Sequence, residues 1–252
     1  MILVAMSFAN TFLDSRMAEN EFSTNKQFML TTGLQIDDIA WTIGRIQTVR
    51  YSSQYGNIKF QSSAVNYTFE VDKGSGFVPL FSNATGMILF NIPVSTYSIS
   101  NNYFERVLPS SNGSFLQQGS SATVSQVFCV EKLPMNDGSY TRIVVIPSIR
   151  ILNSIIAGSL GSTNYTKFYL PTLEPGNHRY LSQSITMSGS DIRKIVESGV
   201  NQVRITATFP NAPSGFDSDF FNFDHISETV TLLPGSVVEF YIGKVIVTLG
   251  QV

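Results

Sequence analysis

The densest set of side chains able to do chemistry lies in Gly215–Glu228, GFDSDFFNFDHISE. Asp217, Asp219, Asp224, His225 and Glu228 stand there among four phenylalanines. Asp217 and Asp219, two residues apart, could offer carboxylate oxygens to Ca²⁺. That ion takes about six to eight oxygen ligands, and the spacing of a helix–loop–helix calcium loop is missing. Asp217 and Asp219 are therefore weak metal candidates. A loop pinned to a sheet by its aromatic rings is the expected structure.

Other chemistry is thinner. His178 and His225 lie in polar, turn-rich surroundings with no orienting partner near them in sequence. The chain has no Gly-x-Ser-x-Gly elbow, phosphate-binding loop or dinucleotide fingerprint, and Gly158-Ser-Leu-Gly161 lacks the elbow's spacing. Cys129, the single cysteine, sits in the alternating segment VSQVFCVEKL. It reads as a buried small hydrophobe without the electropositive, accessible setting of a reactive thiol. Asp37 and Asp38 are adjacent on a predicted helix, so they point apart and suit an ion-paired or solvated face. Trp41 reads as an edge contact to the rest of the protein. The expectation is a protein that is not an enzyme and holds no cofactor.

Composition narrows the class further. Of 252 residues, 43% are hydrophobic, enough for a sizeable core, but only 13% are charged. A soluble domain usually carries about 25% charged residues. Ser, Thr, Asn and Gln supply the polarity instead, as in secreted surface proteins. The formal net charge of −2 leaves no basic stripe to displace counterions, which argues against nucleic acid. Four Asn-x-Ser/Thr sequons, at Asn66, Asn83, Asn112 and Asn164, are expected glycosylation acceptors of an exported chain.

The elements that must position these residues fall into two parts, a long helix over 1–51 and a β-rich head over 52–252. Met1–Leu13 is uncharged and apolar on all sides. It is shorter than the ~20 residues of a bilayer span and lacks the basic start of a signal peptide. It reads either as the exit end of a longer membrane helix or as a segment buried among copies of itself. Ile2, Leu3, Val4, Met6, Phe8, Phe12 and Leu13 are the candidate assembly residues. Residues 21–50 are amphipathic. Met29, Ile36, Ile39, Ala40, Ile43 and Ile46 recur at helical steps and are expected to pack against the head. Gly33 and Gly44 cost about 1 kcal/mol each relative to Ala, and would permit a bend or close packing.

Beyond Tyr51 the period changes to two. Strands are predicted at Val65–Val71, Met87–Val94, Ala122–Leu133, Tyr140–Leu152, Lys167–Leu170, Asn201–Phe209, Glu228–Leu233 and Val237–Leu249. Turns are predicted at Asp72–Gly76, Asn136–Gly138, Glu174–Asn177 and Asn211–Gly215, the second closing a hairpin. One short helix is expected at Ser190–Ser198, capped by Ser190 and stopped by Gly199. The expected fold class is α+β: a long N-terminal helix followed by a mainly antiparallel sandwich or barrel-like globular head.

The stretch LVAMSFANTFLDSRMAENEFSTNKQFMLTTGLQIDDIAWTIGRIQTVRYSS resembles the N-terminal region of archaeal type IV pilin-like surface proteins. The likeness extends more weakly through IVVIPSIRIL (Ile143–Leu152), ITATFP (Ile205–Pro210) and VVEFYIGKVIVTLG. The resemblance implies a filament core of bundled apolar helices and an outer, glycosylated sheath of β heads. It implies a cell-surface, extracellular location, with the chain in the membrane before assembly. The chain departs from the pattern in having no glutamate near the start of the apolar helix; the first acidic residue is Asp14. A membrane-anchored, non-polymerising surface or binding protein is the alternative.

Overall fold

The computed structural model describes residues 2–110, 113–133, 135–158, 161–178 and 183–250, without the side chains of residues 2–11, 158, 161–162 and 178. Helix α1 (Ile2–Ala40) leads into β1 (Ile46–Arg50), β2 (Asn57–Asp72), β3 (Phe77–Pro93), β4 (Tyr103–Leu108) and β5 (Leu116–Gln118). Then follow β6 (Ser125–Lys132), β7 (Tyr140–Pro147), β8 (Ile149–Gly158), β9 (Gly161–His178) and β10 (Ser184–Thr208). A 3-10 turn at Ala212–Ser214 and the short helix α2 (Ser218–Phe221) precede β11 (Ser227–Leu249).

All eleven strands share one sheet, in the order β4-β6-β7-β3-β2-β10-β11-β9-β8-β5, with β1 alongside β10. Most pairs are antiparallel, but β11 with β9 and β5 with β8 run parallel. The sheet doubles back because β10 and β11 pass from one layer to the other through irregularities at Glu197–Gln202. Phe69 of β2 therefore meets Phe168 of β9 and Phe240 of β11 edge-on, at 6.5 and 5.4 Å, although β2 pairs with neither strand. Phe115, Phe128, Phe216, Phe220 and Phe221 fill the same inner core.

A second core lies between α1 and the outer face of the sheet. There Met29, Ile36 and Ile39 share a cluster with Phe90, Val127, Cys129, Ile143, Val145, Met187 and Val247. Alternation decides the two memberships: Val127 and Cys129 of β6 join the helix side, Phe128 and Val130 the inner core. A strand covered on both faces reads as a continuous apolar run, which is why β6 and β7 are buried almost throughout.

The α+β classification is corrected to mainly β, with about 60% strand against 16% helix. The head is one mixed sheet folded over itself, where a mainly antiparallel sandwich or barrel was expected. The helix expected over 1–51 stops at Ala40, so its amphipathic part does not run to residue 50. Gly44, at φ +81°, turns the chain, and its N–H donates to Gly189 O at 2.8 Å while Gly189 N–H donates to Arg45 O at 3.0 Å. Strand pairing to β10 thus takes over the backbone bonds that a longer helix would have made. The helix expected at Ser190–Ser198 is part of β10, paired with β11 from Asp191↔Lys244 to Glu197↔Val238. Its expected stop, Gly199, sits at φ +72° in the bend between layers. The Glu174–Asn177 turn is absent too: Glu174 and Pro175 pair with Ile246 and Val247 inside β9. The β8 partnership ends at Tyr169, so this stretch is paired on one side, where proline is tolerated. The Asn136–Gly138 and Asp72–Gly76 turns do join β6 to β7 and β2 to β3.

Candidate functional site

The feature that sets this molecule apart is where α1 leaves the head. Ala18, Phe22, Asn25, Met29, Thr32, Ile36 and Ile39 recur at alternating steps of four and three, and all are buried. The two polar members make bonds within the helix: Asn25 Nδ2 donates to Glu21 O and Thr32 Oγ1 to Phe28 O, each at 3.0 Å. Carried one step back, the stripe reaches Ser15, which is exposed. Every described residue from Phe12 to Met17 is exposed, whichever side of the helix it occupies. Phe12, Leu13 and Met17 retain 55, 57 and 49% of their accessible surface. At about 1.5 Å per residue, the stem ahead of Ala18 is roughly 24 Å long.

A collar holds the helix at its point of exit. The Glu21 carboxylate accepts from the backbone N–H groups of Gln54 (2.7 Å), Tyr55 (3.1 Å) and Gly56 (2.9 Å), and from Ser53 Oγ. Tyr55 then reaches about two turns further and donates its hydroxyl to Asp14 at 3.1 Å. At the other end, the helix backbone rests on two glycines. A Cβ on Gly189 would stand 2.4 Å from Ile39 O, and one on Gly243 would stand 2.5 Å from Ala40 O. Beside them Asp37 accepts from Trp41 Nε1 (2.6 Å) and Arg150 Nη1 (2.7 Å). Arg150 lies over the Tyr169 ring, 5.0 Å from its centre, and Trp41 meets the same ring edge-on. Asp38 pairs with Arg45 at 3.2 Å. Both aspartates therefore hold structure, as adjacent helix positions suggested.

The predicted helix residues divide cleanly. Met29, Ile36, Ile39 and Ala40 are buried against the head. Ile43 and Ile46 are not: they are 63 and 65% exposed, because one lies in the turn after the helix and the other on the open face of β1. Ile2, Leu3, Val4, Met6 and Phe8 lie in helical backbone, with side chains outside the described residues. Glu21 and its collar escaped the sequence reading, since its partners lie over thirty residues away with no local signal linking them.

Asp217 N-caps α2 by accepting from Phe220 N–H at 3.0 Å, and among the described residues no three His, Cys, Asp or Glu converge. Phe216, Phe220 and Phe221 are buried and pin the loop, as expected. Glu228 leaves the cluster to accept from Ser114 Oγ at 2.7 and 2.8 Å. Burial lifts its carboxyl above the usual range, against the Ser114 hydroxyl, the nearby His225 and the Phe115 N–H. Asn66, Asn83 and Asn164 lie in strands and are half-buried, with Asn66 Oδ1 accepting from Ser82 Oγ. Asn112 and the His178 side chain lie outside the described residues.

Comparison with protein-family models, curated proteins and solved structures returns no match for this chain.

Proposed function

We propose that the chain is a structural subunit of an extracellular filament that polymerises through its N-terminal helix, with the β head outermost. The observation that carries this reading is the exposure of all sides of the helix from Phe12 to Met17, which overlaps the end of the uncharged, apolar Met1–Leu13. Burying Phe12, Leu13 and Met17 against a neighbour would contribute about 1.5–3 kcal/mol for each side chain. A second copy of the same helix supplies a matching surface that is uncharged through Leu13. The strand-bound Asn66, Asn83 and Asn164 would carry glycans only where the fold leaves their amides reachable. No helix among the described residues is long and apolar enough to cross a membrane.

The test compares the full chain with a Leu13→Asp variant by negative-stain electron microscopy and light scattering. Filaments or concentration-dependent oligomers are expected from the full chain, and monomers of unchanged melting temperature from the variant. A full chain that stays monomeric at high concentration overturns the reading. Binding to phospholipid vesicles without self-association would favour the anchored, non-polymerising alternative instead.

A further inference from the structure

The inner core runs out before its walls do. On the inner face of the β8–β9 hairpin, Ile151 and Phe168 belong to that core. Alternation places Asn153 and Ile155 of β8, and Thr166 and Asn164 of β9, next along the same face. The Thr231–Ser236 stretch of β11, where its register with β10 shifts, forms the other wall. A cleft of about 330 Å³ lies between the two walls. Thr231 also borders a second cavity, of about 530 Å³, which extends along β11 to Glu228 and is lined by Gln117 and Gln118 of β5.

The side chains of this cleft state the chemistry of its occupant. Thr166 Oγ1 donates to Asn153 Oδ1 at 2.9 Å, which leaves the Asn153 Nδ2 donors over. The Asn164 and Gln118 carboxamides and the Thr231 hydroxyl make no hydrogen bond among the described residues. Beside them Leu232 packs on the inner core, and Ile155 and Leu233 are exposed. No charged side chain borders the first cavity, and the one at the second, Glu228, already accepts from Ser114. An anion would therefore find no cation. A hydrocarbon chain would strip water from the free carboxamides and hydroxyl without replacing their bonds. A peptide strand needs open main chain, whereas the free groups here are side chains. A sugar ring meets both demands, because each hydroxyl donates and accepts while the C–H faces pack on aliphatic side chains. We propose that the cleft binds a neutral oligosaccharide, with hydroxyls on Asn153, Asn164 and Thr231, C–H faces on Ile155 and Leu233, and the chain running on toward Gln118. The site lies on the head and does not depend on the filament reading.

The probes are maltohexaose, cellohexaose and N-acetylchitohexaose, each at millimolar concentration with the full chain produced free of glycosylation. NMR shifts are the readout. At least one probe is expected to move the Asn153, Asn164 and Gln118 carboxamide signals and the backbone amides of Thr229–Leu233. Thr231→Val, which keeps the shape of the side chain, should weaken that binding about tenfold with no change in melting temperature. Asn164→Ala should do the same. No shift with any of the three probes, shifts elsewhere, unchanged binding by both variants, or equal binding of the permethylated sugar each overturns the proposal. Because Asn164 opens a sequon, a sugar attached to Asn164 itself would present the same chemistry. Mass spectrometry of the chain from its own cell separates the two sources. An unmodified Asn164 leaves the cleft to a free oligosaccharide, and a modified one makes the chain's own glycan the occupant and overturns uptake from outside. The Leu13→Asp variant should bind the sugar as the parent does, which separates this test from that of assembly.

Discussion

Arg142 heads the fully buried side chains by volume among the described residues, and its guanidinium ties β7 to the Asn136–Gly138 turn. It forks onto Asp137 at 2.6 and 2.9 Å and also donates to Asn91 Oδ1. Removing the acid leaves a buried cation without its counter-charge, a loss of about 3–5 kcal/mol. Asp137→Ala should show that loss in urea denaturation at neutral pH. Two other carboxyls predict opposite pH effects. Burial pushes the Glu131 carboxyl up, but donors from Ser98, Ile99, Thr141 and Ser100 together hold it below the usual range. Its stabilisation is present above the unfolded value of about 4.3 and is lost as pH falls through the lower folded value. Glu228 is raised by burial, so its contribution is fully present below the unfolded value and is lost as pH rises through the folded one. Glu131→Gln should therefore be less stable than the parent at pH 7, with the gap closing as pH falls below the unfolded value. Glu228→Gln should match the parent near pH 3 and gain on it at pH 7. Melting temperatures across that range check both signs. Glu228 stood out in sequence only as a member of an acidic cluster, and Glu131 not at all, because the Ser114 and Ser98–Ser100 groups that tune them lie about thirty or more residues away.

Helix α1 shows how an element borrows its limits from its neighbours. Its periodicity was legible from Met29 to Ala40, and the buried stripe follows it. The same period continues through Ile43 and Ile46, yet the helix has ended, because Gly44 and Arg45 find better backbone partners at Gly189. Gly33 illustrates the other side of the account. A Cβ there would stand 2.9 Å from Val127 Cγ2, and Ser125 Oγ donates to its carbonyl at 2.6 Å, so the residue marks close approach of helix to sheet. At Gly243 the obstacle is backbone, Ala40 O. Gly243→Ala should destabilise the protein by about 1–3 kcal/mol through overpacking. Faster hydrogen exchange in the last turn of α1 should accompany the change, and an unaltered last turn would show that the helix end is not seated there.

For the whole molecule, the division of labour lies along α1. The described contacts with the head begin at Asp14 and Met17 through Tyr55, and burial begins at Ala18. A chain lacking residues 1–13 should keep the melting temperature of the parent and lose self-association, as measured by differential scanning calorimetry and light scattering. A large drop in melting temperature would mean that the stem belongs to the head's own core.

Local pattern alone determined that a helix opens the chain, that the rest alternates as strands, and that Met29, Ile36, Ile39 and Ala40 form its packed face. It also determined that Met1–Leu13 carries no charge. Those properties depend on residues a few positions apart, and spacing records them directly. The end of the helix, the strand identity of Ser190–Ser198, the exposure of Ile43 and Ile46 and the Glu21 collar were decided by tertiary structure. In each case a backbone or carboxylate group found its partner more than thirty residues away, and such pairing energy leaves no trace in local periodicity.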